Sequence, residues 1–330
     1  MTERVYPFLN LTLPENDVYT NDEYGIRIEP IEGANEFEEN RRELDSEYRS
    51  GYWHTANVYI DQPKDEADKI ANALSMILSF TLSRDVTFNG RFPENTEDAP
   101  FLRMSTATFD IDNTNNPLVK GLITGKPNPG VKLGPFLDVV LDEVLPLSEA
   151  ERKDKLSPIS QFLEAKASVF ASTEFLLMWV AVESCANENY ESYKESVGDL
   201  FNEEERQRIQ DIVIETAEQE FDEKKVDFLE RRFRQNYLYE YGIDLKIKIF
   251  LEYLDIGFDM DEIEEIVKES KKIRNLVVHE ADSGKLINEE LNRLGELRKI
   301  LIYIILRRIG VDKKMQERLV TPMFPGPEIS

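Results

Sequence analysis

Apolar side chains recur at every second position along residues 51–60, and this period of two predicts a β-strand. Residues 24–31, 85–88 and 102–109 are short runs of similar composition that predict further strands. Between them, residues 65–81 change to the three- and four-residue spacing of an amphipathic helix. The apolar stripe of that helix consists of Ile70, Ala73, Leu74, Ile77 and Leu78.

A segment rich in Asn, Gly and Pro follows at residues 110–130, and its composition predicts a long loop that ends a first domain. From residue 134 onward the spacing of apolar side chains is almost entirely helical. It predicts helices over residues 136–145, 160–186, 202–221, 224–254 with a break near Gly242, 259–280, and 288 to the position before Gly310.

The expected fold class is therefore α+β. A mixed α/β domain is predicted over residues 1–130, followed by a linker with a short helix over residues 131–159. An all-α helical domain is predicted over residues 160–318, and residues 319–330 form a flexible tail rich in proline.

The helix predicted over residues 259–280 has two distinct faces. At about 100° per residue, its apolar stripe consists of Ile263, Ile266, Ser270, Ile273 and Val277. A polar line lies on the opposite side, formed by Lys268, Lys272, Asn275 and His279. Arg274 is set to one side of this line, with a side chain long enough to bend toward His279. This polar line is the strongest candidate site in the sequence.

The chemistry of these side chains suits a phosphodiester substrate. An imidazole can transfer a proton at neutral pH, a guanidinium can hold a phosphate in a bidentate manner, and an amide can orient either group. His279 and His54 are the two histidines of the chain, and His54 falls on the apolar face of a predicted strand. The alternative interpretation is that the polar line is simply the solvated face of an amphipathic helix.

Charge and cysteine content limit the partners, metal sites and cellular location that the sequence predicts. The net charge is −25, yet residues 224–318 hold 20 basic and 19 acidic side chains, so a polyanion could approach that segment. The same balance also fits a segment that merely lacks acidic excess. Cys185 is the one cysteine, which excludes an internal disulfide and a Cys-based zinc site. The polar start and the short apolar run at residues 300–306 predict a cytoplasmic protein without signal peptide or membrane span.

The run Arg274-Asn275-Leu276-Val277-Val278-His279 resembles the R-x4-6-H motif of HEPN domains, in the form with a polar residue after the arginine. The context is similar as well, because the motif lies near the end of a penultimate helix that a turn and a final apolar helix follow. The resemblance covers about residues 160–310. It implies a helical bundle of the HEPN type.

The resemblance further implies a metal-independent endoribonuclease, without cofactor, whose composite site forms between two copies in a homodimer. His279 would assist attack of the ribose 2′-hydroxyl, leaving a 2′,3′-cyclic phosphate, while Arg274 holds the phosphate and Asn275 supports it. Glu183 matches an acidic residue late in the first long helix and would orient Arg274. The cationic positions expected to bind RNA are Lys268, Lys271 and Lys272.

The front half resembles ApeA-like anti-phage HEPN proteins, through a helix ending in Leu78-Ser79-Phe80 and a strand at Val86-Thr87-Phe88. This implies prokaryotic antiviral defence by abortive infection, with a sensing front domain and a phage-derived trigger or an antitoxin as partner. Two alternatives stay open: a non-catalytic HEPN module for binding or regulation, and the toxin of a HEPN/nucleotidyltransferase pair. No P-loop or G-x-G-x-x-G motif occurs, so no nucleotide site is expected.

Overall fold

The structure, a computed structural model, describes residues 3–9, 11, 18–31, 54–82, 86–88, 133–168, 170–233, 241–256, 260–280 and 288–320. Contacts divide the chain into two compact units. One consists of Met1–Ala181 with Ile273–Ser330 and is called the sheet unit here. The other, Val182–Lys272, is called the helical unit.

The sheet unit begins with an antiparallel sheet. Its described strands are β1 (Arg4–Leu9), β2 (Tyr19–Asn21), β3 (Ile26–Pro30), β4 (His54–Ile60) and β5 (Thr87–Phe88), in the order β2-β3-β4-β1-β5. The predictions over residues 24–31, 51–60 and 85–88 coincide with β3, β4 and β5, whereas β1 and β2 were missed. The predicted strand at residues 102–109 and the loop at residues 110–130 lie outside the described residues.

Alternation along β4 decides which side of the sheet is buried. Ala56, Val58 and Ile60 are buried, and Val58 stands opposite Tyr6 of β1 and Ile28 of β3. Such cross-strand neighbours on one face stabilise an antiparallel sheet. The alternation predicted for this segment is confirmed for residues 56–60, whereas Thr55, predicted on the opposite face, is buried as well.

Helix α1 (Lys64–Leu82) packs against β1 and β5. Its predicted apolar stripe is confirmed, because Ile70, Ala73, Leu74, Ile77 and Leu78 are all buried. The last turns of α1 also hold the start of β5: the Ser79 hydroxyl donates to the carbonyl of Val86 at 3.0 Å and accepts from its N–H at 2.9 Å.

The rest of the described chain is helical, which confirms the α+β class in its coarse form. The helices of the sheet unit, in whole or in part, are α2 (Leu133–Val144), α3 (Glu149–Lys166), α4 (Ala171–Glu188), α9 (Met260–Glu280), α10 (Asn288–Arg308) and α11 (Lys313–Val320). Those wholly in the helical unit are α5 (Tyr190–Val197), α6 (Glu203–Glu220), α7 (Glu223–Phe233) and α8 (Ile243–Tyr253). No described helix is long and apolar enough to cross a membrane.

The domain limits predicted from sequence fall in different places. The limit at residue 130 and the tail from residue 321 onward lie outside the described residues. The limit at residue 160 falls inside α3, and the start of the predicted tail falls at the end of α11.

The single helix predicted over residues 160–186 is wrong. Two helices occupy this stretch, because α3 already begins after Ser148 and ends at Lys166. Ser148 and Glu151 form a capping box, in which each side chain accepts a hydrogen bond from the other residue's backbone N–H. At the break, the Ser168 hydroxyl donates to the carbonyl of Phe170 at 3.2 Å, a local bond that competes with helix continuation.

Proline inside α3 explains why the sequence is misleading here. Pro158 lacks an N–H, so the carbonyl of Asp154 loses its helical partner. Arg308 of α10 replaces it, donating from Nη2 to that carbonyl at 3.0 Å and to the Asp154 carboxylate at 2.9 Å. A contact within the sheet unit thus satisfies the carbonyl that the proline leaves without a helical partner.

Two glycines lie at helix ends that the sequence predicted. Gly242 is the N-cap residue of α8, and residues 234–240 before it lie outside the described part. Gly310 follows α10 with φ of +87°. Its N–H donates to the carbonyl of Arg307 at 3.2 Å, and Val311 donates to Leu306 at 2.9 Å, which is the Schellman pattern of a helix end. The predicted C-cap is confirmed.

Candidate active site on helix α9

Helix α9 has the buried face that its periodicity predicts. Ile263, Ile266, Ser270 and Ile273 are buried, and Val277 is half-buried. The positions predicted on the other side are exposed where side chains are described, namely Lys268, Lys272 and Asn275. The helix is therefore amphipathic in the predicted sense.

The two units divide this helix after Lys272. The predicted RNA-binding lysines belong to the helical unit, whereas Arg274, Asn275 and His279 belong to the sheet unit.

In the sheet unit, Arg274 and Asn275 form a hydrogen-bonded pair. The Arg274 guanidinium donates from Nη1 to the Asn275 side-chain oxygen at 3.1 Å. Arg274 is half-buried and Asn275 is exposed. This bond fixes one edge of the guanidinium and leaves its other N–H groups able to hold an anion.

His279 lies in the last turn of α9, four residues after Asn275 and five after Arg274. Its side chain lies outside what the structure describes, so its distance to either residue remains a matter of the helical spacing alone. That spacing puts Asn275 and His279 on one side of the helix.

Two large apolar side chains accompany this motif. Leu276 is 46% exposed and Val278 is 50% exposed, unlike Ile273 one turn earlier, which is buried. By helical spacing they flank the line of Asn275 and His279 on its two sides. The end of α9 therefore presents a mixed surface of polar groups with apolar borders.

In the helical unit, two of the three predicted lysines are already in ion pairs. Lys271 Nζ lies 2.9 Å from the Asp244 carboxylate, and Lys272 Nζ lies 2.6 Å from that of Glu269. Lys268 is exposed and makes no ion pair with any described residue. It is the lysine of the three whose charge is least neutralised.

The pKa of Asp244 reflects its pairing. Burial by itself would raise this pKa, but the hydrogen bond from Lys271 and those from the backbone N–H groups of Asp244 and Leu245 outweigh it. The pKa of Asp244 therefore lies below its ordinary value, and the carboxylate holds Lys271 at neutral pH.

Glu183, predicted to orient Arg274, is half-buried in α4 and belongs to the helical unit. The two residues belong to different units, so its role toward Arg274 remains a prediction. Within the described residues, no group of three or more His, Cys, Asp or Glu side chains could hold a metal ion. Cys185 is buried.

Sequence reasoning missed one exposed feature. Phe228, which has the spacing of a core position in the predicted helix over residues 224–254, is 57% exposed. Phe221 is 51% exposed, and both rings lie next to cations. The recurrence of an aromatic residue and a basic residue at three- and four-residue intervals was the available signal.

Comparison of the chain with models of known protein families, with curated proteins and with solved structures gives no match.

Proposed function

We propose that this chain is a metal-independent endoribonuclease of the HEPN type, acting in prokaryotic antiviral defence or as a toxin. The observation that carries the proposal is the hydrogen-bonded pair of Arg274 and Asn275, which stands one turn before His279 on a helix whose core face is turned away from Asn275. A solvated helix face does not require an arginine fixed by its neighbour.

In this proposal His279 is the general base and Arg274 binds the phosphate. The imidazole takes the proton of the ribose 2′-hydroxyl, whose oxygen forms a bond to phosphorus while the bond from phosphorus to the 5′-oxygen breaks. A proton returns to the departing 5′-oxygen, which gives a 2′,3′-cyclic phosphate and a 5′-hydroxyl. Arg274 stabilises the charge that develops on the phosphate oxygens.

Asn275 is a positioning residue in this scheme. Its side-chain oxygen accepts from Arg274, so its amide group restricts the rotation of the guanidinium. Fixing a charged donor before the substrate binds lowers the cost of ordering it in the transition state.

A homodimer with a composite site fits the surface around the motif. Leu276 and Val278 are about half exposed beside Asn275, and burying them against a second copy would remove apolar area from water. The second copy would also bring a second motif to the same surface. Lys268 is proposed to contact RNA phosphates, while the ion pairs of Lys271 and Lys272 reduce the part that these two can play.

The direct test incubates the full-length protein with end-labelled RNA in EDTA. We expect cleavage to persist without divalent metal, to leave cyclic phosphate ends, and to spare DNA of the same sequence, which lacks the 2′-hydroxyl. His279→Ala should lower the rate by about 10²- to 10⁴-fold, and Arg274→Ala by about 10²- to 10³-fold. Lys153→Ala, an exposed lysine of α3, is the matched control. Equal rates for all four proteins would refute the assignment.

A second readout covers an enzyme that acts only in the cell. Expression of the wild type in bacteria should arrest growth, and His279→Ala should relieve the arrest at equal protein level. The net charge of −25 favours the alternative of a non-catalytic binding module, because it repels free RNA. That alternative predicts that Arg274→Ala and His279→Ala alter neither the growth of the expressing cells nor the cleavage of RNA.

A further inference from the structure

Helix α7 carries a line of alternating aromatic and cationic side chains. Phe221 precedes the helix, and Lys225, Phe228 and Arg232 follow at intervals of four, three and four residues. These intervals put Lys225, Phe228 and Arg232 on one face of α7. Phe221 is the C-cap residue of α6 and has an extended backbone, so it joins this face through its contact with Lys225 and not through helical spacing. We call these four residues the aromatic–cationic face; they all belong to the helical unit.

The members of the aromatic–cationic face contact one another and solvent. Lys225 Nζ lies 5.8 Å from the centroid of the Phe221 ring, and Arg232 Cζ lies 5.4 Å from that of Phe228. Both rings are more than half exposed. Large aromatic side chains with this exposure are costly in water and indicate an interaction surface when they cluster.

Packing between the described helices of the helical unit does not account for these rings. The side of α7 with partly buried side chains is formed by Val226, Leu229 and Phe233, about 100° around the helix from the aromatic–cationic face. Contacts between α6 and α7 can use that side. The packing of α6 against α7, a helical hairpin, therefore does not use the rings of Phe221 and Phe228.

Charge points to the class of ligand. The helical unit holds 26 Asp and Glu but 13 Lys and Arg, yet residues 224–232 hold four cations against two acidic residues, Asp227 and Glu230. Lys224 and Arg231 are exposed and make no ion pair with any residue that the structure describes, and Lys225 pairs only with exposed Asp222, at 3.2 Å. A local concentration of cations beside exposed rings suits a polyanion that also carries flat aromatic groups.

We infer that the aromatic–cationic face binds single-stranded RNA, with phosphates on the cations and bases stacked on Phe221 and Phe228. The choice of RNA as the nucleic acid rests on the proposed ribonuclease function. Stacking needs bases that are free of a duplex, and this combination of aromatic platforms with cations is typical of single-strand binding. An acidic peptide would satisfy the cations, but unlike RNA it does not carry a flat group on every unit of its chain.

The experiment measures binding without cleavage. Fluorescence anisotropy follows a labelled 12-nucleotide RNA with 2′-O-methyl groups, which cannot be cut, against the full-length protein at 50 to 200 mM salt. Phosphate contacts by the two cations of the face and by the neighbouring Lys224 and Arg231 predict that log K falls against log salt with a slope of about −3. A duplex of the same length should bind at least about tenfold more weakly, because its bases are already stacked.

Variants separate the two parts of the face. Phe221→Ala and Phe228→Ala should each weaken binding about fivefold or more, whereas Ile212→Ala, another exposed apolar residue of the hairpin, should not. The double variant Lys225→Glu/Arg232→Glu should weaken binding and halve the salt slope. Lys153→Glu/Lys314→Glu changes the net charge equally at exposed lysines of the sheet unit and should bind as the wild type.

The possible outcomes are distinct. Equal binding by the wild type and the face variants, absence of binding, or equal affinity for the duplex would overturn the inference. Self-association that Phe221→Ala/Phe228→Ala abolishes, with no RNA bound, would assign the face to a second copy instead. Binding of the blocked RNA through this face without cleavage of natural RNA would sink only the ribonuclease proposal. Cleavage at a rate that the face variants leave unchanged, with no loss of binding, would sink only this inference.

Discussion

Arg274 donates a hydrogen bond from Nη1 to the side-chain oxygen of Asn275, 3.1 Å away, although the two residues are neighbours in the chain. Successive residues of a helix point about 100° apart, so the long arginine side chain must bend toward the shorter amide. The bond therefore selects one orientation of the guanidinium among many. Asn275 becomes a candidate for a positioning role beside the two charged or titratable residues of the motif.

Asn275→Ala should reduce RNA cleavage by about 10- to 100-fold, since a hydrogen bond to a charged group contributes roughly 1.5–3 kcal/mol. The loss should appear in kcat more than in KM, because the phosphate can still bind a loose guanidinium. Asn275→Asp keeps an acceptor for Arg274 and should retain more activity than the alanine variant. The measurement is steady-state cleavage of a fluorogenic RNA, with the pH profile expected to keep its shape. Wild-type rates for Asn275→Ala would remove the positioning role.

The apolar borders of the motif lead to a prediction about assembly. Leu276→Asp and Val278→Asp should convert a dimer into a monomer and abolish cleavage together, because each places a charge on a surface that the partner copy must bury. Light scattering after size-exclusion chromatography gives the mass, and the cleavage assay gives the activity. Val180→Asp, at a residue of α4 that is 51% exposed, is the matched control and should change neither. A monomeric wild type that cleaves RNA would contradict the composite site.

Periodic features of the fold could be predicted from the sequence because they depend on local spacing. The buried stripe of α1 and the buried face of α9 follow from apolar residues three and four positions apart. The end of α10 follows from Gly310, because a glycine most easily adopts the positive φ of a helix end. The exposure of Asn275 could also be predicted from helical spacing, because this residue lies on the side of α9 opposite its buried face.

Features that depend on contacts between residues far apart in the sequence could not be predicted in this way. The carbonyl of Asp154, which Pro158 leaves without a helical partner, accepts a hydrogen bond from Arg308, and these residues are 154 positions apart. The pairing of Lys271 with Asp244 joins residues 27 positions apart, so it does not show in the pattern of α9. Phe228 has the spacing of a core residue, and only the packing of the hairpin leaves it exposed.

The pairing of Lys271 with Asp244 should make stability depend on pH. The pKa of Asp244 is lower in the folded chain than its ordinary value near 3.9, so the pair contributes stability above about pH 4. That contribution is lost as the pH falls through the folded pKa. Lys271→Met should cost up to about 1 kcal/mol at pH 7, the range of a largely exposed pair, and progressively less below pH 4.

Urea unfolding at several pH values measures this difference. Lys272→Met, which removes the neighbouring ion pair to Glu269, is the control and should cost less, because Lys272 is more exposed than Lys271. A penalty for Lys271→Met that is constant from pH 7 to pH 3 would show that lost packing of the lysine stem, and not its charge, is responsible.

Alanine substitutions at two glycines, Gly310 and Gly295, should change the stability of the fold in opposite directions. Gly310 has φ of +87°, and a Cβ added there would come 2.8 Å from the Cβ of Glu143 in α2. Gly310→Ala should therefore destabilise the sheet unit by about 1–3 kcal/mol, through left-handed backbone strain and the displacement of Glu143.

Gly295 lies inside α10, and a Cβ there would meet nothing within 4 Å. Gly295→Ala should stabilise the helix by about 0.5–1 kcal/mol, because alanine loses less backbone freedom on folding. Thermal unfolding of both variants provides the measurement. A Gly310→Ala variant as stable as the wild type would contradict the strain assigned to this position, and a destabilised Gly295→Ala variant would contradict the open surroundings of Gly295.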